Sequence, residues 1–181
     1  MRRTIRKWFW VWDFDKEEKW LNEMAAKGLS LVGVGFCRYE FADCTPGEYA
    51  IRLERLPQPA AHPESVKYLE FLEETGAEHV GTFQNYWVYL RKKKADGDFQ
   101  IFSDNDSRIN HLGRIIAFVT AIVVLNYFCA LYNLLLLFFQ NSYVNMAVGL
   151  LNLGIAVLGT AGIFKLLKKK KRLAADRQLF E

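Results

Sequence analysis

Residues 115–164 read IIAFVTAIVVLNYFCALYNLLLLFFQNSYVNMAVGLLNLGIAVLGTAGIF, without one Asp, Glu, Lys, Arg or His, and Lys168-Lys169-Lys170-Lys171-Arg172 comes shortly after. The hydrocarbon core of a bilayer is about 30 Å thick and a helix rises about 1.5 Å per residue, so one crossing takes roughly 20 apolar residues. The run is therefore long enough for two. Gln140-Asn141-Ser142-Tyr143 supplies a polar break, which leaves residues 115–139 and 144–164 as antiparallel helices joined by a short loop. As a buried hairpin of a soluble protein, helices this long would need a polar side to show to water, and neither has one.

The flanking cations set an expected orientation. Arg91, Lys92, Lys93, Lys94, Arg108 and Arg114 precede the first helix, Lys165 and the lysine run follow the second, and the loop between them carries no charge. Lys and Arg in short flanks stay on the cytoplasmic side, so both termini are expected in the cytoplasm of a two-pass plasma-membrane protein. The N-terminal segment MRRTIRK is basic, but the apolar stretch behind it ends at Asp13, too soon for the apolar core and cleavage site of a signal peptide.

Charge divides the chain at the same place. Residues 1–100 hold 15 Lys and Arg against 16 Asp and Glu, and residues 101–181 hold 9 against 4, so net charges of −1 and +5 make up the formal +4. The basic excess belongs to the membrane half and points to lipid, not to nucleic acid. Lys168, Lys169, Lys170, Lys171 and Arg172 either contact anionic headgroups or serve only to set topology. Cys37, Cys44 and Cys129 have no metal-ligand spacing and read as free thiols.

Upstream lies enough chain for one cytoplasmic domain, residues 1–95, followed by a linker and juxtamembrane helix at 96–114, the transmembrane hairpin at 115–167 and a basic tail at 168–181. Residues 6–12 read as an aromatic strand. Asp15 to Glu18 opens a helix with Trp20, Leu21, Met24 and Ala25 on one face, and Gly28 ends it. Residues 29–41 read as one strand stretch bent at Gly33 or Gly35; Thr45-Pro46-Gly47 turns the chain into strand 49–53. A second helix enters at Pro63, carries Val66, Leu69 and Leu72, and stops at Gly76; residues 77–83 and 86–91 form strands around Gln84-Asn85. The predicted fold is α+β: a small antiparallel sheet with two helices on one face, βαββαββ and split βαβ-like, followed by a two-helix transmembrane hairpin.

Four stretches carry a resemblance: Glu17-Glu18-Lys19-Trp20-Leu21-Asn22-Glu23-Met24-Ala25-Ala26-Lys27-Gly28, the turn Pro46-Gly47-Glu48-Tyr49, the segment from His79 to Trp87, and Phe102-Ser103-Asp104 with Ser107-Arg108-Ile109 and His111. Over roughly residues 5–115 the chain resembles the bacterial domain of unknown function 2812 family. The resemblance implies a membrane-anchored member of a mainly Gram-positive family without an established activity. Its members are often encoded beside PadR-type transcriptional repressors, which implies regulated expression in an envelope response.

No catalytic or cofactor signature accompanies these features. His62, His79 and His111 are scattered, and the chain has no Cys-x-x-Cys and no glycine-rich phosphate loop after a strand. A non-enzymatic protein without cofactor or metal is expected. Asp13, Asp15, Glu17 and Glu18 suggest either a cation site or negative charge placed at a helix N-terminus. Trp8, Trp10 and Trp12 alternate along the first strand and share a face, which is either core or a partner surface.

The hairpin carries a stripe of small and polar residues. Asn145, Gly149, Asn152, Ala156 and Gly159 recur at alternating steps of four and three on the second helix, and Asn126, Asn133 and Gln140 recur every seven residues on the first. Antiparallel pairing about the loop sets Gln140 against Asn145, Asn133 against Asn152 and Asn126 against Gly159, with Asn133 and Asn152 expected as the main hydrogen-bonded pair. The stripe either holds the hairpin together or binds a partner's transmembrane helix or a second copy. Ser103 is expected to cap the juxtamembrane helix, with Asp106 as capping partner and Arg108, His111 and Arg114 at the lipid headgroups, His111 as a candidate pH-sensitive group. The expected role is a regulatory or interaction module; the alternative is a small accessory subunit of a membrane transporter or envelope complex.

Overall fold

The computed structural model describes residues 2–102, 105–140 and 142–178. It divides into two compact units, residues 1–103 and 104–181. Ser103 and Asn141, and with them the expected cap and part of the interhelical loop, lie outside the described residues.

The first unit is α+β, built as one motif used twice. Strand β1 (Arg2–Arg6), helix α1 (Phe14–Ala26) and the hairpin β2 (Leu29–Gly35) and β3 (Arg38–Asp43) form the first copy. Strand β4 (Tyr49–Arg55), helix α2 (Pro63–Glu74) and the hairpin β5 (Ala77–Phe83) and β6 (Trp87–Lys93) form the second. Each copy makes its own three-stranded antiparallel sheet with the third strand in the middle, in orders β1-β3-β2 and β4-β6-β5. Each helix is followed by a glycine at positive φ, Gly28 at 83° and Gly76 at 86°, a conformation that side chains resist. Each hairpin also slips register at a Val-Gly step, between Leu31 and Gly33 in one copy and between His79 and Gly81 in the other.

Two sheets replace the single one expected because residues 29–41 are not one strand. They fold back at Phe36-Cys37, with Cys37 at φ 51°. The aromatic strand expected at 6–12 ends at Arg6 for a related reason. Its partner β3 begins at Arg38, and after the last bond from Lys7 N to Cys37 O no strand remains for residues 8–12 to pair with. Trp8 and Trp10 lie in irregular chain and Trp12 in a single 3-10 turn, Val11–Asp13.

Helix α2 lays Leu69 and Leu72 on one face of the second sheet, over Ala50, Val88 and Leu90; it enters at Pro63 as expected, and His62 Nδ1 accepts from Glu64 N at 3.3 Å. Phe99 and Ile101, in the stretch expected to be linker, pack into this same core. The other face, with Ile51, Leu53 and Tyr89 buried, turns towards the first copy.

Helix α1 closes the open edge of β4. The Asn22 amide donates to Ile51 O at 2.8 Å and accepts from Ile51 N at 2.9 Å, as a neighbouring strand would, and Glu18 Oε2 accepts from Leu53 N at 2.9 Å. An unpaired strand edge is a template for aggregation, and side chains of α1 occupy this one. From the central strand β6, Arg91 grips Glu78 of the edge strand β5 through two bonds of 2.9 and 2.6 Å and reaches across to Ser30 Oγ at 3.1 Å and Leu31 O at 3.0 Å on β2.

The second unit is a hairpin of α3 (Asn105–Gln140) and α4 (Tyr143–Gln178), both long and apolar enough to cross a membrane. Helix α4 continues unbroken through the lysine run. The contact surface is made by Leu112, Ile115, Val119, Val123 and Ala130 of α3 and Gly149, Ala156 and Gly159 of α4. A Cβ at Gly149 would lie 2.9 Å from Leu134, and one at Gly159 would collide with Val123, so both glycines are where the backbones come closest.

Candidate functional site

The two copies of the motif meet at a buried carboxylate. Glu17 belongs to the first turns of α1, where acidic side chains normally face water and the helix dipole, yet it is 8 % exposed. Its partners come from both sheets: Tyr39 Oη of β3 donates to Glu17 Oε1 at 2.8 Å and Tyr89 Oη of β6 donates to the same oxygen at 2.6 Å. Neighbouring acids have other tasks, Glu18 on the β4 edge and Asp13 in an ion pair with Lys16 at 3.1 Å. The acidic group, read from sequence as either a cation site or negative charge at a helix N-terminus, is thus split by helix periodicity, with Glu17 turned inward.

Burial removes Glu17 from water and pushes its carboxyl above the ordinary carboxylate range, an effect larger than the opposing stabilisation from the two phenols. The same burial, with the carboxylate nearby, pushes both tyrosine hydroxyls far above their ordinary value, so both remain donors at any physiological pH. Aromatic rings surround the cluster. Trp20 stands 5.0 Å from Tyr39 in an edge contact, Phe9 6.3 Å from Tyr39 and 5.5 Å from Trp20, and Phe14 5.9 Å from Trp87. Lys7 Nζ sits over the Phe9 and Trp20 rings, 5.0 and 4.6 Å from their centroids.

A second aromatic group lies at the surface. Trp10 stacks on Trp12 with centroids 5.0 Å apart and planes 5° from parallel, Trp8 meets Trp10 edge-on at 5.3 Å and Phe36 at 5.9 Å, and Phe36 reaches Phe83 at 6.3 Å. Trp8 is 54 % exposed, Trp10 44 % and Phe36 71 %. The three tryptophans do gather on one patch, by stacking on each other and not by strand alternation.

In the hairpin, the expected bond between Asn133 and Asn152 is not made. Asn133 donates to Cys129 O at 2.8 Å and Asn152 to Val148 O at 2.9 Å, each four residues back on its own helix, and Asn126 does the same to Ile122 O at 2.8 Å. In an apolar medium the nearest carbonyl is the strongest competitor for an amide, and a helix always offers one at that spacing. The small residues carry the contact instead. The Gln140 side chain is outside the described residues; Asn145 is half-buried near the start of α4.

Arg108 is exposed and Arg114 half-buried, while His111 is 3 % exposed, on the helix face it shares with Ile115 and Val119. Lys168, Lys171 and Arg172 are exposed, Lys169 and Lys170 less so, and Lys170 Nζ lies 3.5 Å from where a Cβ on Gly113 would be. Among the described residues no three His, Cys, Asp or Glu side chains converge to hold a metal ion, and Cys37, Cys44 and Cys129 are free thiols.

A duplicated βαββ domain with a buried carboxylate at its junction, followed by an apolar helical hairpin, is the class of protein that these features define. The profile of the family described as "Protein of unknown function (DUF2812)" matches residues 13–124, and the chain belongs to that family. The match runs from the start of α1 to just past the middle of α3. No curated protein and no solved structure matches the chain significantly. The motif from Glu17 to Gly28, on which the resemblance rested, has a physical account: Glu17 binds the two tyrosines, Glu18 and Asn22 bind the β4 edge, Leu21 and Ala25 fill the core, and Gly28 ends the helix. Nothing in that motif alone identified Tyr39 and Tyr89 as partners of Glu17.

Proposed function

We propose that the chain is a bacterial plasma-membrane protein, crossing the bilayer twice with both termini in the cytoplasm, and that its duplicated domain is a non-catalytic regulatory or protein-interaction module. The observation that carries this reading is the surface cluster of Trp8, Trp10, Trp12, Phe36 and Phe83. Rings of this size left in water are a standing cost, and exposed Trp and Phe are the residues that anchor protein interfaces. Membrane placement is supported by the outward faces of the hairpin, where Leu125, Phe128, Leu131, Leu151, Val157 and Leu158 are exposed. The cations before α3 and at the end of α4 support the orientation. The PadR association implied by the family resemblance points to a regulated envelope response.

A second reading, the accessory subunit of a transporter or envelope complex docked through its hairpin or self-associating there, draws on the Asn126, Asn133 and Asn152 amides in otherwise apolar helices. One experiment separates the two. Full-length protein and a Trp8→Ser/Trp10→Ser/Phe36→Ser variant are purified in mild detergent from the native membrane, and their co-purifying proteins are identified by mass spectrometry. A partner held by the wild type and lost from the variant is expected. A membrane partner retained equally by both would move the interface to the hairpin and favour the subunit reading, and recovery of nothing by either would overturn both.

A further inference from the structure

We propose that Glu17, Tyr39 and Tyr89, together with the rings of Phe9 and Trp20, form a binding site for a lipophilic organic cation at the junction of the two βαββ copies. The first support is the carboxylate itself. Both phenols converge on Glu17 Oε1, and among the described residues Oε2 has no protein donor, although it is not sealed from solvent. A carboxylate this deep is ordinarily paired with a cation or fully hydrogen-bonded, because an uncompensated charge is costly in apolar surroundings. No Lys, Arg or His among the described residues forms an ion pair with Glu17.

The second support is the chemistry of the walls. The face of an aromatic ring carries negative potential, and it attracts cations most effectively when they are weakly hydrated, as organic ammonium and phosphonium ions are. A metal ion would find one carboxylate here and no group of three ligands. The third is that the same rings already hold a cation. Lys7 Nζ rests on Phe9 and Trp20, but Lys7 is exposed at the end of β1 on a flexible stem and can yield its place. Tyr39 links the two halves, with its ring against Trp20 and Phe9 and its hydroxyl on Glu17.

The test uses full-length protein in neutral detergent, with tetraphenylphosphonium as probe and tetraphenylborate, the same shape with the opposite charge, as control. Binding is followed by isothermal calorimetry. The phosphonium is expected to bind and the borate not to; equal binding of both, or no binding of either, overturns the proposal. Glu17→Gln is expected to weaken phosphonium binding by roughly tenfold or more, and a folded Glu17→Gln protein that binds it unchanged rejects the site. Should that variant not fold, Lys7→Gln decides: freeing the rings is expected to tighten binding roughly threefold, and unchanged affinity rejects the site. The surface cluster of tryptophans takes no part, so this test and the partner experiment fail or succeed separately.

Discussion

Tyr89, on the last strand of the second βαββ copy, donates a 2.6 Å hydrogen bond to Glu17, 72 residues earlier on the helix of the first. The two copies are therefore joined through a buried acid, whose titration is coupled to the stability of the domain.

Burial raises the Glu17 carboxyl above its unfolded value, so the native state holds that proton to higher pH than the unfolded chain does. The group is most favourable to folding below the ordinary carboxylate range, and its contribution declines as pH rises through the raised native value. Glu17→Gln keeps an acceptor for both hydroxyls and removes the titration. Wild type and variant are expected to melt together near pH 4 and the variant to melt higher near pH 8. All five tryptophans, Trp8, Trp10, Trp12, Trp20 and Trp87, lie in the first unit, so tryptophan fluorescence of the full-length protein in detergent reports this domain selectively. A variant that melts lower at pH 8 would show that the charge is welcome where it is.

Asn22 completes the edge of β4 by bonding both Ile51 N and Ile51 O. Asn22→Leu leaves Ile51 N without its acceptor on a half-buried edge, while Ile51 O keeps the Arg52 guanidinium, which donates to it at 3.0 Å. The expected loss is about 1–3 kcal/mol, the cost of the one stranded N–H, measured by denaturant unfolding with the same fluorescence signal. Because the uncovered edge can pair with another chain, the variant is also expected to form larger species in light scattering as it warms.

Arg91 makes four hydrogen bonds to Glu78, Ser30 and Leu31 while its guanidinium lies 4.8 Å from the Tyr49 ring centroid. Only a planar fork reaches all of these at once. Arg91→Lys is expected to cost about 1–3 kcal/mol, close to the cost of Arg91→Ala, and a lysine variant with wild-type stability would reduce the arrangement to a plain surface ion pair.

Gly159 and Gly154 lie on the same helix, five residues apart, in opposite circumstances. A Cβ at Gly159 collides with Val123, while one at Gly154 meets open space. Gly159→Ala is expected to destabilise the hairpin by about 1–3 kcal/mol, through overpacking. Gly154→Ala is expected to be neutral or to stabilise by up to about 1 kcal/mol through helix propensity. Far-UV circular dichroism during titration with a denaturing detergent reads both; equal behaviour would mean that the helices do not meet at Gly159.

Much of the element order was legible because its causes are local. Pro63 and Gly76 bound α2, Gly28 follows α1, and strands were expected close to β4, β5 and β6. The errors fell where a partner far along the chain decides. Residues 8–12 have the composition of a strand but no strand to pair with, and residues 29–41 read as one strand because Cys37 is an unusual residue for a left-handed turn position. The duplication is not legible in the sequence because the copies share few identities beyond the glycines at 28 and 76 and the Val-Gly steps at 32–33 and 80–81.

By itself the sequence determined that this protein has an apolar helical hairpin of membrane-spanning length, a separate α+β domain and its family, since hydrophobicity, length, helix stops and motif are properties of contiguous residues. Only the tertiary structure decided that Glu17 is buried while Asp15, two positions away, is exposed, and that Tyr39 and Tyr89 converge on one of its oxygens. Periodicity gives a helix its faces, but which face is covered, and by which side chains, depends on the packing of strands tens of residues away.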